Sequence, residues 1–131
     1  MLPSPMLPSP VAIELGIASA PAEVLAGEAF RIRVRLANRS AFDLKSCGPN
    51  PVHLAYHCYA ENGECVVYDG RRSRLHVLKP GIAAEVEMDL EAAPVAGWFR
   101  FRLTLVQEGV RWFDDAPQKL FADQWIRVVG R

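Results

Sequence analysis

Three sets of residues in this 131-residue chain could do chemistry: His53, His57 and Cys58 with Cys65; the acids Glu108, Asp114 and Asp115; and a mixed group from Asp69 to Trp112. The first set suggests a metal or an activated thiol. His53 and His57 lie four residues apart in an alternating segment, and on a strand that spacing spans roughly 13 Å. Two ligands of one ion, each at about 2 Å from it, cannot sit that far apart. Cys58 and Cys65 flank Asn62-Gly63 and come out diagonal rather than paired, with no Cys-x-x-Cys spacing. The second set, Glu108 with Asp114 or Asp115, would serve glycoside hydrolysis only if both carboxylates met in one cleft. The chain has no nucleophile elbow and no glycine-rich phosphate loop. The reading is therefore a non-enzyme without cofactor or metal.

The third set lies in or beside a stretch that organises the chain, GWFRFRLTLVQEGVRWFDD at 97–115. Phe99, Phe101, Leu103 and Leu105 point one way, with Arg100, Arg102, Thr104 and Val106 between them. That period of two marks a strand with one buried face. The run then breaks at Gln107-Glu108-Gly109 and ends in Trp112, Phe113 and two aspartates, an unusual composition for a plain connector.

Similar alternation recurs at 11–18, 28–38, 51–60, 64–68, 74–78, 82–90 and 120–129, with Gly, Pro and Asn at the breaks. Asn62-Gly63 predicts a two-residue hairpin turn that sets Cys65 opposite Ala60. With no long helical period, the pattern predicts an all-β, immunoglobulin-like antiparallel sandwich of seven or eight strands over 11–131. In that topology strand 28–38 pairs with strand 82–90, and one register matches Arg31, Arg33 and Arg35 with Asp89, Glu87 and Glu85. Such pairs contribute about 0.2–1 kcal/mol each and chiefly set register. The arginine stripe reads as a neutralised solvent face rather than a nucleic-acid surface. Ile82, Ala84, Val86, Met88 and Leu90 form the expected buried side of strand 82–90. On the last strand Phe121, Asp123, Trp125 and Arg127 share one face, and parity alone leaves open whether that face is core or a contact surface.

The same topology brings 50–53, 68–72 and 107–113 to one end of one sheet, where antibody domains carry their binding loops. Asp69, Arg71, Arg72, Gln107, Glu108, Trp112 and Asp114 would gather there. An indole beside amide, carboxylate and guanidinium groups suits a polyhydroxylated ligand: the ring covers the apolar sugar face and the polar groups meet its hydroxyls. Trp112 is expected to stack, and Asp69, Arg72, Gln107 and Glu108 to hydrogen-bond. The alternative is that Trp112 and Phe113 tuck under the sandwich end and Asp69 only caps a turn.

The bulk numbers exclude several classes. Fifteen basic and fifteen acidic residues cancel, so no global field points to nucleic acid. No apolar run approaches the ~20 residues of a spanning helix. Three cysteines, an odd number, argue against a secreted disulfide framework and for reduced thiols in a cytoplasmic protein. Ala18-Ser19-Ala20 mimics a signal-peptidase site, but no Lys or Arg precedes it and Glu14 interrupts the apolar stretch. Asn38-Arg39-Ser40 fits the glycosylation sequon and reads as a polar turn. The opening MLPSPMLPSP, a duplicated pentapeptide with four prolines, is expected to be an extended, disordered tail over 1–10.

Three segments also look familiar: Asn50-Pro51-Val52-His53-Leu54-Ala55-Tyr56, Tyr68-Asp69-Gly70-Arg71-Arg72, and Val106-Gln107-Glu108-Gly109-Val110-Arg111-Trp112-Phe113. They resemble a bacterial β-sandwich family that includes the C-terminal polysaccharide-recognition domain of O-antigen ABC exporters and related modules of glycosyltransferases and methyltransferases. The resemblance covers positions 21–129, and the Val-Gln-Glu-Gly-Val-x-Trp-Phe run is its most specific part. It implies a module that binds lipopolysaccharide-type glycan without transforming it, at the cytoplasmic face of the membrane, and that forms a homodimer by strand exchange. This chain departs from the exporter pattern in having a Pro-rich segment where the nucleotide-binding domain would precede. A second function class remains: a protein-interaction module that positions a glycosyltransferase or transporter partner.

Overall fold

The computed structural model describes residues 12–130, so the duplicated pentapeptide lies outside the described residues. The strands are β1 (Ile13–Ser19), β2 (Glu23–Leu25), β3 (Ala29–Asn38), β4 (Val52–Ala60), β5 (Cys65–Val67), β6 (Ser73–Arg74), β7 (Ala83–Glu91), β8 (Gly97–Gln107), β9 (Arg111–Trp112) and β10 (Ala122–Val129). They form two sheets. The smaller has the order β1-β3-β7, and the larger β2-β10-β8-β4-β5, with β6 on β4 and β9 on β8. The result is the expected all-β immunoglobulin-like sandwich. Beyond the antiparallel pairs, β2 runs parallel to β10. After Pro21 the first strand leaves one sheet and closes the edge of the other, so it keeps its direction.

The core lies where the inner faces meet. Ile32, Val34 and Leu36 from β3 and Met88 and Leu90 from β7 face Leu54, Tyr56 and Cys58 from β4 and Phe99, Phe101, Leu103 and Leu105 from β8. Phe30 meets Phe101 edge-on at 5.3 Å between centroids. The Glu91 amide donates to the Tyr56 hydroxyl at 3.2 Å, tying the sheets together. Burial pushes the Cys58 thiol up to about 12, whereas the free thiols of Cys47 and Cys65 are exposed.

The charge ladder pairs in the expected register: Arg31 with Asp89, Arg33 with Glu87, Arg35 with Glu85. Arg31 reaches Asp89 at 3.0 Å and Glu87 at 3.3 Å, and Arg33 reaches Glu87 at 3.3 Å, all on the solvent side. Three local expectations are corrected. Ile82 is exposed, because the strand begins at Ala83, after the turn through Pro80 and Gly81. The segment 74–78 is a strand only at Ser73–Arg74; beyond it Leu75 and Leu78 are buried, and Leu78 makes a single bridge to Leu44. In the hairpin, Cys65 pairs with Tyr59 rather than Ala60. Gly63 takes a φ of +91° and donates to the Ala60 carbonyl, while Glu64 accepts from the Ala60 amide. This is a three-residue loop closed by a left-handed glycine, the usual alternative to the two-residue turn.

A covered outer face and a candidate binding site

The outer face of a two-sheet sandwich normally meets water, and β4 departs from that rule. Ala55 and His57, which alternate with its core residues, are also buried. Their cover comes from two loops. Thr104 donates to the Leu120 carbonyl at 2.6 Å, pinning the connection 108–121 to β8, and β9 extends that strand by pairing Trp112 with Val106. From the other side, the Gly70 amide donates to the Tyr56 carbonyl at 3.1 Å and draws 68–72 across the sheet.

Parity then separates the Trp-Phe pair. Phe113 enters the core and is fully buried, whereas Trp112, one residue earlier, lies half-buried on the outer face. There it meets the His57 ring at 4.3 Å between centroids, and Tyr68 stacks on His57 at 4.5 Å and 25°. His57 is only 1% exposed, and Tyr68 is 55% exposed. The result is an open phenol ring backed by a buried imidazole and flanked by an indole.

His57 is fixed at both nitrogens. Nδ1 contacts the Tyr68 carbonyl, which can only accept, so Nδ1 carries a proton. Nε2 lies 3.0 Å from Oδ2 of the buried Asp114.

Beside the rings stands an ion network. Glu108 binds His53 Nδ1 at 2.8 Å and Arg72 Nε at 2.8 Å. Arg72 also reaches Asp69 at 2.7 Å, and its guanidinium lies over the Trp112 ring at 4.8 Å. Burial pushes the Glu108 carboxyl up, but hydrogen bonds from Arg72 and His53 and their charges outweigh it and hold the group below its ordinary value of 4.5. A carboxylate depressed by folding contributes stability above its unfolded pKa and loses it as pH falls through the folded value. Acidification below about pH 4.5 is therefore expected to release Arg72 from Glu108 before the domain unfolds. Amide shifts of 69–72 and 108 moving ahead of the core signals would show this, and simultaneous movement would refute it.

Of the five residues expected to bind ligand, Asp69, Arg72, Glu108 and Trp112 are brought together. Gln107 is not. It is 2% exposed and turned toward the other side of the β4–β8 pair, where it lines a cleft under 41–50. The reason is its strand parity, which places it with Leu103 and Leu105 rather than with Glu108. Sequence reasoning passed over Tyr68 as a contact and Asp114 as the partner of His57. Glu108 and Asp114 are each committed to their own partners, Arg72 and His53 for the first and His57 for the second, rather than to one another. Among the described residues no group of three or more metal-ligating side chains occurs, and no helix is long and apolar enough to cross a membrane.

No protein-family model matches this sequence, and no curated protein does. Solved structures match its fold. A β-glucosidase from Listeria innocua, in complex with glucose, is 16% identical with a TM-score of 0.60 over 92% of this chain. The chain spans only 16% of that enzyme's length. The CARDB domain of a Pyrococcus furiosus protein is 15% identical with a TM-score of 0.54, over 89% of this chain and 94% of the domain. An alkylpurine DNA glycosylase from Pseudomonas fluorescens, bound to DNA with an abasic-site analog, is 11% identical with a TM-score of 0.51 over 90% of this chain and 30% of its own. At these identities the likeness extends to the fold alone: this chain is an immunoglobulin-like β-sandwich.

Proposed function

We propose that this domain is a non-catalytic recognition module that holds a bacterial surface polysaccharide of the O-antigen type, or its precursor, on the outer face of its larger sheet. One observation carries the reading: the exposed Tyr68 ring is held flat against buried His57, with Trp112 and the Asp69–Arg72–Glu108 network at its edge. A rigid aromatic surface costs little conformational entropy on binding and covers the apolar face of a sugar. The fixed charges beside it supply donors and acceptors for hydroxyls. Both His57 nitrogens, the Glu108 carboxylate and Oδ2 of Asp114 already have partners, which supports holding over turnover. The work fits the cytoplasmic face of the membrane, where a polysaccharide is finished before export.

Tyr68→Ala and Trp112→Ala are each expected to weaken binding of O-polysaccharide fragments roughly tenfold or more, equal to about 1.4 kcal/mol. Tyr68→Ala should leave the melting temperature within a few degrees, because its ring is mostly exposed. Unchanged affinity in both variants, by calorimetry, would sink the site.

A second reading has its own observation. Trp98 and Trp125, 46% and 44% exposed, stand together on the same sheet face and line a shallow groove with Glu61. Adjacent exposed indoles of this kind suit a protein contact with a glycosyltransferase, a transporter or a second copy. Sedimentation would test the last case: a dimer abolished by Trp125→Ala would favour it, and a monomer at all concentrations would remove it.

A further inference from the structure

Gln107, though absent from the Tyr68 surface, occupies a distinctive place. On the core side of the β4–β8 pair, a cleft of about 370 Å³ opens between the 39–51 connection and the end of β8. That volume lies within the ~300–1,000 Å³ of small-molecule sites. Its walls combine the exposed ring of Phe42 and the apolar Pro49 and Val52 with Asp43, Lys45 and Asn50. Gln107 lines the cleft beside Asn50 and Val52, nearly fully buried.

The amide orientation of Gln107 is determined by its neighbour. Nε2 donates to the Asn50 carbonyl at 3.2 Å, and a carbonyl can only accept. Oε1 is therefore the remaining atom, and it is buried with no hydrogen-bond partner in the protein. A buried acceptor without a donor is costly and uncommon in folded proteins. Local backbone conformation keeps the arrangement in place. Asn50 takes a left-handed φ of +51°, and the Glu108 amide donates to the Pro51 carbonyl at 2.9 Å, fixing 50–51 against the end of β8. The 39–51 connection is anchored beyond the cleft too, by Ser46, whose hydroxyl donates to the Val52 carbonyl at 2.6 Å.

We propose that this cleft is a second binding site, for a neutral polyhydroxylated ligand of monosaccharide size. One ligand hydroxyl donates to Gln107 Oε1, Phe42 covers the apolar ring face, and Asp43 and Lys45 meet the outer hydroxyls. The ligand class rests on the glycan reading above; the place rests on Gln107 alone. Gln107 and Glu108 are consecutive and serve opposite faces, so the ridge 107–109 divides the cleft from the Tyr68 surface.

The two sites are separable by one experiment. The isotopically labelled full chain is titrated with glucose, galactose, mannose and N-acetylglucosamine, following backbone amides and the Gln107 side-chain NH2. Saturable shifts at 42–50 and at the Gln107 amide with at least one of these sugars are expected. Gln107→Met, which removes the acceptor at similar volume, and Phe42→Ala, on the exposed rim, should each weaken that response about tenfold. Phe42→Ala decides the matter should Gln107→Met fail to fold. Shifts confined to 68–72 would overturn the cleft while leaving the Tyr68 reading standing. Shifts confined to 42–50 would support the cleft, with the Tyr68 surface judged separately by its response to O-polysaccharide fragments. Shifts at 42–50 that survive both substitutions unchanged, or no shift at 42–50 at millimolar sugar, would overturn the proposal.

Discussion

Replacing Gly70 by alanine is expected to destabilise the domain by about 3 kcal/mol, the upper end of what overpacking usually costs. A Cβ at this position would stand inside contact distance of the Tyr56 carbonyl oxygen and 2.7 Å from Tyr56 Cδ1. Neither can step aside: the carbonyl already accepts from the Gly70 amide, and the ring is fixed in the core beside Phe101. The chain at 68–72 must lift instead. Because Arg72 donates to the Gly70 carbonyl at 2.8 Å and reaches over Trp112, lifting would separate Tyr68 from His57 and Arg72 from Glu108 together. Gly16 supplies the control. A Cβ there meets nothing within 4 Å, so Gly16→Ala should stay within about 0.5 kcal/mol of the parent. Chemical denaturation of the three proteins checks this, and a parent-like midpoint for Gly70→Ala would contradict the close packing of 68–72 on the sheet.

The second large effect is expected at Asp114. Asp114→Ala removes the partner of a histidine that is 1% exposed and leaves its Nε2 facing a cavity. Breaking a buried pair on one side costs about 3–5 kcal/mol when the pair is ionic and less when it is a neutral hydrogen bond. A loss of about 3 kcal/mol is the expected result. Two further variants separate this from a packing defect. Asp114→Asn retains a group that can donate to Nε2 and should recover a large part of the loss. The double variant His57→Leu with Asp114→Leu removes both polar partners and should be more stable than Asp114→Ala, since no unmet polar group remains. A single variant within about 0.5 kcal/mol of the parent would show that the pair contributes little to the covered face.

The fold was more legible than the site, for a definable reason. Period-two alternation specifies which residues of β3 and β8 face the core, and the charges of Arg31, Arg33 and Arg35 against Asp89, Glu87 and Glu85 specify one register out of several. The meeting of 50–53, 68–72 and 107–113 followed from topology alone. The covering of the outer face did not, because 68–72 and 108–121 carry no period and lie on the sheet through single anchors such as Gly70 and Thr104. For that reason the alternation of 51–60 gives no sign that His57 is buried between Tyr68 and Trp112. Gln107 is a different case. Its strand parity with Leu103 and Leu105 already placed it on the core side, and nearness in sequence to Glu108 and Trp112 obscured that signal. The Trp112-Phe113 pair shows both outcomes at once, with one ring in the core and its neighbour on the covered outer face.

The central claim is that the Tyr68 surface holds glycan. Its most direct measurement is a titration of the full chain with O-polysaccharide fragments, following tryptophan fluorescence together with the amides of 68–72 and 108–112. The account predicts saturable changes in these segments, a quench or shift that is lost in Trp112→Ala, and no change in the arginine ladder on the opposite sheet. Silence at 68–72 and 108–112 across a broad panel of fragments, with the fold intact, would contradict it and leave the exposed Trp98 and Trp125 as the surface that acts.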